Sequence, residues 1–350
     1  MRAERKPVLL DGEYVLPLRW HDDAELTELT GYLRRLSAWI PITVVDGSPP
    51  DLFDRHAEAW RGVVRLLRPE PWPGANGKVA GVVTGVRAAR SERVVLADDD
   101  VRYDRAVLER VLGLLEDADV VRPQNVFSPA PWHARWDTGR TLLNRALAAD
   151  YPGTFGIRRS TFLAMGGYRG DVLFENLEMV RTIRASGGRE HRADDVFVPR
   201  RPPTAAHFWS QRPRQAYDDL AQPWRLAVSL AVWPVVLHSA VRRRRRLAAL
   251  LAAVIALAER GRRRAGGRTV FPASAALWAP VWVLERGLFS WLAVWARLAR
   301  GGVTYGDTRL RTAASSPRAL RRQAPHRHPL PPLGPQPAGD AGQASGSSSP

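Results

Sequence analysis

Between Arg93 and Val101 an apolar run of four residues, Val94-Val95-Leu96-Ala97, stops on three consecutive aspartates, Asp98-Asp99-Asp100. A short β-branched run of this kind reads as a buried strand, and in an open α/β sheet functional groups gather just past the carboxyl ends of strands. The acids therefore fall where a site belongs. Adjacent carboxylates repel one another, and either a divalent metal or several Arg and Lys side chains would compensate them. The simpler alternative is a solvated turn whose last carboxylate helps to start the next helix, Asp104 to Leu115.

The chain before this run alternates between strand and helix patterns. Strands are predicted at Tyr14 to Leu18, Ile42 to Val45 and Val63 to Leu67. Asp22 or Asp23 is expected to cap a helix through Trp39 that carries Leu26, Leu29, Tyr32, Leu33 and Leu36 on one face. Further helices are predicted near Leu52 to Trp60 and Lys78 to Ala89, the second after a Pro/Gly-rich loop, and a short strand at Val120-Val121. This order implies a mainly parallel sheet flanked by helices. In such a sheet Asp46, after the second strand, converges with Asp98 to Asp100 on one edge. Asp is also common in turns, so coincidence is the competing reading.

Charge is unevenly distributed. Residues 1–220 hold 32 Lys+Arg against 31 Asp+Glu, and the other 130 residues hold 20 against 4. This asymmetry argues against a catalytic body that grips nucleic acid and for a C-terminal segment against an anionic surface, most simply a cytoplasmic membrane leaflet. The chain has no cysteine, which excludes disulfides, thiolate metal sites and cysteine nucleophiles. Only Lys6 and Lys78 are lysines, against 50 arginines, which singles out Lys78. The first apolar run, Val8 to Leu10, is far too short for a secretion signal, so the N-terminal half is expected in the cytoplasm.

Downstream, Trp132-His133-Ala134-Arg135-Trp136 precedes a predicted helix to Ala149 and reads either as an acceptor platform or as core anchors with polar tips. Glu175 and Glu178 open a helix to Ser186; they either complement its dipole or face a cleft. His207 to Tyr217 reads as an amphipathic helix whose Arg and Gln side chains clamp a diphosphate or form a solvated face. After Pro223 come uncharged, mostly apolar runs at 226–241, 247–258, 270–284 and 288–296, bordered by Arg242 to Arg246 and Arg262 to Arg264. None reaches the roughly 18–20 residues of a secure spanning helix. Short spans with snorkelling arginines, helices lying in the interface, and a buried helical domain are the three readings. From about Ala313 the Ser/Pro/Gly/Ala/Arg composition predicts a disordered tail over 313–350.

Taken together and in this order, these motifs resemble the family-2 glycosyltransferases of the GT-A fold, in particular the ceramide-glucosyltransferase-like branch with C-terminal membrane segments. The resemblance implies a GT-A catalytic domain over 8–222 and a membrane-associated helical region over 223–302. It implies an inverting transfer from a UDP- or GDP-sugar donor to a lipid or glycan acceptor at the cytoplasmic membrane face, with Mg²⁺ or Mn²⁺ as cofactor. By the resemblance, Asp46 contacts the nucleotide base and Lys78, in Asn76-Gly77-Lys78, faces phosphate. Asp98 and Asp100 match the Asp-x-Asp motif, with Asp98 toward the nucleotide sugar and metal and Asp100 on the metal. Gln211, Arg212 and Arg214 resemble the Gln-x-x-Arg-Trp diphosphate clamp, with Gln215 where the aromatic wall is usual. The family's Glu-Asp pair falls on Glu175-Asn176, and an asparagine cannot be a general base, so either Glu175 or Glu178 substitutes, Glu175 being the choice, or the chemistry is altered. A nucleotidyltransferase and a non-catalytic membrane scaffold with a decayed site are the alternatives.

Overall fold

The computed structural model describes residues 9–147, 150–305 and 308–333. The chain begins with β1 (Glu13–Leu18), α1 (Leu26–Leu36), β2 (Ile42–Asp46), α2 (Pro50–Ala59), β3 (Arg65–Leu67), α3 (Gly77–Ala88) and β4 (Arg93–Ala97). The predicted face of α1 is the buried one, with Leu29, Tyr32, Leu33 and Leu36 inside. The helix starts later than expected because Asp23 is turned to Arg55 and His56 instead of capping it. The strand-to-helix alternation continues through α4 (Arg105–Leu114), β5 (Val120–Phe127), α5 (Trp132–Leu147), β6 (Thr154–Arg158), α6 (Arg159–Ala164), α7 (Glu175–Ala185) and β7 (Glu190–Arg200). Asp104, not a member of the aspartate triplet, caps α4 by accepting the Val107 amide at 2.8 Å.

The strands form one sheet in the order β3-β2-β1-β4-β6-β5-β7. Only β6 runs antiparallel to its neighbours, so the carboxyl ends of the other strands open on one edge. Both faces are covered. Leu16, Val44 and Val95 pack with α1 and α4 on one side. Val15, Val94 and Leu96 pack with α3, α6 and α7 on the other. Burial on both faces explains why these strands read as continuous apolar runs.

Two features depart from the predicted pattern. β5 is far longer than Val120-Val121 because it pairs in parallel with β7, a strand with no clean apolar signal. The Trp132 to Trp136 segment lies inside α5, where the His133 Nε2–H donates to the Pro203 carbonyl at 2.8 Å, so this histidine is a core anchor. The expected end of that helix at Ala149 lies outside the described residues.

The chain then forms α8 (Ala205–Tyr217), α9 (Pro223–Arg242), α10 (Arg244–Arg263), α11 (Ala279–Ala299), the hairpin β8 (Val303–Tyr305) and β9 (Thr308–Leu310), and α12 (Pro317–Gln323). Among the described residues α9 alone is long and apolar enough to cross a membrane. α11 joins two of the predicted apolar runs, and its inner face carries Glu285, Arg286 and Ser290 while Leu288, Trp291, Leu292, Trp295 and Leu298 are exposed. The tail expected to be disordered from 313 is ordered where described. Leu320 of α12 is fully buried, and the Leu330 and Leu333 amides donate to Leu163 and Arg87 carbonyls. Its polar composition misleads because it is held by backbone hydrogen bonds to the domain, not by a core of its own. Residues 334–350 lie outside the described residues.

Candidate active site

The open edge of the sheet floors a cleft of about 590 Å³. β4 delivers the aspartates to it, and the turn before β6 shapes its wall. A Cβ on Gly153 would stand 2.5 Å from Asp98 Oδ2, so glycine lets that turn pass against the carboxylate, and the Asp98 amide donates to the Gly153 carbonyl at 2.8 Å.

The three aspartates have different partners. Asp98 Oδ1 meets Lys78 Nζ at 2.7 Å, and Asp98 Oδ2 lies 3.8 Å from Arg200. Asp99 accepts the Trp20 indole N–H at 2.6 Å. Asp100 Oδ2 accepts Arg200 Nε–H at 2.7 Å, while its Oδ1 is buried with no partner. Burial, with Asp98 and Asp99 adding to it, pushes the Asp100 carboxyl up to about 6 although Arg200 opposes the shift. The triplet is thus neither a solvated turn nor a helix cap. It is a cleft acid cluster compensated by one lysine and one arginine.

Lys78 lies one residue into α3. Asn76 caps that helix, its Oδ1 accepting the Lys78 amide at 3.2 Å, and fixes where the lysine leaves the backbone. Lys78 Nζ also meets Glu175 Oε1 at 2.9 Å, bridging β4 to the start of α7. Burial disfavours the ammonium, but Asp98 and Glu175 outweigh it and hold Lys78 well above its ordinary range. Gln211 and Arg214 of α8 also line the cleft, together with Asp218. Burial pushes Asp218 up to about 8, Glu175 and Asp219 adding to it and Arg214 and Arg286 opposing. Asp218 Oδ1 is another buried oxygen without a partner.

Three of the expected site residues are elsewhere. Asp46 is fully buried beneath the cleft floor, where Oδ1 accepts the Ser48 amide at 2.8 Å and Oδ2 meets His56 Nδ1 at 2.6 Å. Burial raises its carboxyl, but those hydrogen bonds outweigh burial and hold it below the usual range. With both oxygens taken it shapes the loop and is not available to a base; Leu18, Arg19, Gly47 and Pro69 line the cleft there. Arg212 points away into the protein, 2.9 Å from Asp137 and 3.5 Å from Glu285, because α8 turns consecutive side chains about 100° apart and only one face meets the cleft. Glu178 is fully buried behind α7 and accepts the Ser315 amide at 2.6 Å. Glu175 therefore faces the cleft and Glu178 does not.

Other cleft residues escaped the sequence reading. Arg200 ends β7, a strand that itself had no signal. Asp218 directly follows the helix singled out for its Gln and Arg, and its position was the available clue. Arg225, Trp282 and Arg286 come from the region assigned to the membrane and Tyr305 from just beyond it, so the boundary expected at 223 does not separate the cleft from the C-terminal helices.

Residues 35–170 match the family Glycosyl transferase family 2. That stretch contains the aspartate triplet and Lys78 and covers less than half of the chain. No curated protein matches the chain significantly. Among solved structures, the mannosyltransferase PcManGT from Pyrobaculum calidifontis, in complex with GDP-Man and Mn2+, is 18% identical over 83% of this chain and 89% of its own, with a TM-score of 0.51. The two share a fold. GalNAc-T7 with UDP, GalNAc and Mn2+ is 15% identical over 56% of this chain and 45% of its own, with a TM-score of 0.41. S. aureus TarS 1-349 is 14% identical over 59% of this chain and 64% of its own, with a TM-score of 0.40.

Proposed function

We propose that this chain is an inverting, metal-assisted glycosyltransferase that moves a sugar from a UDP- or GDP-sugar to a lipid or glycan acceptor at the cytoplasmic face of a membrane. One observation carries the reading: at the carboxyl edge of a mainly parallel sheet Lys78 joins Asp98 to Glu175, with Asp100 held by Arg200 beside them, in a cleft with room for a nucleotide sugar. The glycosyltransferase fold of a GDP-Man complex supports the donor class.

Asp98 and Asp100 present hard oxygen donors, and the unpartnered Oδ1 of Asp100 suits a divalent cation. When bound, Mg²⁺ or Mn²⁺ supplies positive charge where the nucleoside diphosphate leaving group accumulates negative charge. Lys78 and Arg214 add fixed positive charge around the diphosphate, and Gln211 offers it an amide donor. Glu175 accepts the proton of the attacking acceptor hydroxyl, and a single displacement inverts the anomeric carbon. Asp46, Arg212 and Glu178 act only by holding the cleft's walls.

The membrane part of the reading rests on the exposed apolar faces of α9 and α11 beside the exposed Arg242 to Arg246 block. Apolar residues facing out and ionic residues facing in suit helices lying on an anionic leaflet, which is compatible with a ceramide-glucosyltransferase-like branch carrying C-terminal membrane segments. The test is a thermal-shift panel of nucleoside diphosphates and nucleotide sugars with and without Mn²⁺, since a ligand that binds the folded state raises its melting temperature. A uridine or guanosine ligand should stabilise the protein in a Mn²⁺-dependent way, and Asp100→Ala should abolish that response with the fold intact. A pyrophosphate-releasing reaction with a nucleoside triphosphate would replace this reading by a nucleotidyltransferase.

A further inference from the structure

The hairpin β8–β9 returns from the end of α11 to the cleft and places Tyr305 in its wall. The Tyr305 hydroxyl donates to Asn76 Oδ1 at 2.9 Å, the same oxygen that caps α3 at Lys78. On its face the Tyr305 ring carries the Arg214 guanidinium, 4.5 Å from the ring centre. One side chain thus touches the Lys78 helix on one side and the Arg214 helix on the other, two groups separated by more than a hundred residues of chain.

The hairpin is itself anchored. Leu310 and Ala313 are buried with Leu173, Tyr217 and Ala293. The Tyr217 hydroxyl donates to the Arg311 carbonyl at 2.8 Å. The Leu173 and Phe174 amides donate to the Thr312 and Ala313 carbonyls at 3.0 and 2.8 Å, immediately before Glu175. The strap therefore fixes the start of α7 while its Tyr305 lines the cleft.

We infer that Tyr305 is a positioning residue for donor binding: through the strap it sets Lys78 and Arg214 at a fixed separation, and it supplies from the far end of the chain the aromatic packing that Gln215 cannot give. The inference rests on the donor reading above. A cation held against a ring and a capped helix both lose orientation, not charge, when the ring is removed. The effect should therefore appear in donor affinity and only weakly in turnover at saturating donor.

The experiment measures calorimetric affinity for UDP and GDP with Mn²⁺ in wild type, Tyr305→Phe, Tyr305→Ala, Arg214→Ala and the Tyr305→Ala/Arg214→Ala pair, with the melting temperature of each. Tyr305→Phe keeps the ring and should fold; it should weaken the preferred nucleotide a fewfold. Tyr305→Ala should weaken it by roughly tenfold, with kcat at saturating donor changed less than about threefold. Arg214→Ala should then cost less in the Tyr305→Ala background than in wild type, because the ring and the guanidinium it orients are coupled. Fully additive losses, or a Tyr305→Ala protein that binds as well as wild type, overturn the inference and leave the transferase reading standing. A folded wild type that binds neither nucleotide overturns both.

Discussion

Lys78 is joined to Asp98 and to Glu175, so the two acids that matter most to the proposed chemistry share one cation. Glu175→Gln should lower kcat by about 10²–10⁴-fold, the usual worth of a positioned base, with donor affinity changed far less. Glu178→Gln should leave kcat within about twofold and lower thermal stability, because its carboxylate serves the Ser315 amide. The two clamp arginines divide in the same way. Arg212→Ala takes the nearest cation from buried Asp137 and Glu285, leaving Asp137 only Arg140 at 3.8 Å, and should cost on the order of 3–5 kcal/mol in chemical denaturation, whereas Arg214→Ala should cost donor affinity and little stability. Asp218 makes a pH prediction. Its carboxyl is raised to about 8 by burial, so as pH climbs above about 4 the unfolded chain ionises while the folded one holds its proton. Its contribution to stability is full at low pH and is lost progressively up to about pH 8. Asp218→Asn escapes that loss, and its melting temperature should exceed that of wild type by several degrees at pH 8.5 and by much less at pH 5.

At the scale of elements, the strands of the first hundred residues were legible because each is buried on both faces and so carries a continuous apolar run bounded by turn residues. β7 was not, since Arg192, Asp194 and Asp195 interrupt its apolar residues and its pairing partner lies some 70 residues earlier. Arg200 was lost with it. The aspartate triplet, Lys78, Glu175 and Arg214 were legible as motif positions, but a motif does not say which side of a helix faces a cleft. That is why Arg212 and Glu178 stood beside Arg214 and Glu175 in the sequence and apart from them in space. The tail was illegible because its order comes from main-chain hydrogen bonds to the domain, which composition does not report. This can be checked directly: Ser315→Pro removes the amide that serves the buried Glu178 and should cost about 1–3 kcal/mol of stability in denaturant titration.

For the whole molecule, the inverted polarity of α11 and the apolar outer surface of α9 predict sedimentation with vesicles containing anionic lipid and much weaker sedimentation with neutral ones. Binding should fall as salt rises, and the Trp291→Asp/Trp295→Asp protein should lose it while retaining nucleotide affinity. The strap has a further consequence, in the order of events during synthesis. Tyr305 bonds Asn76 across 229 residues, and Arg87 bonds the Pro331 carbonyl across 244. The sheet can assemble while the ribosome is still adding the helices, but contacts of such separation close last. The nascent chain should therefore pass through a stage with a formed sheet and an unfinished donor pocket, becoming competent only once residues 305–331 have left the exit tunnel.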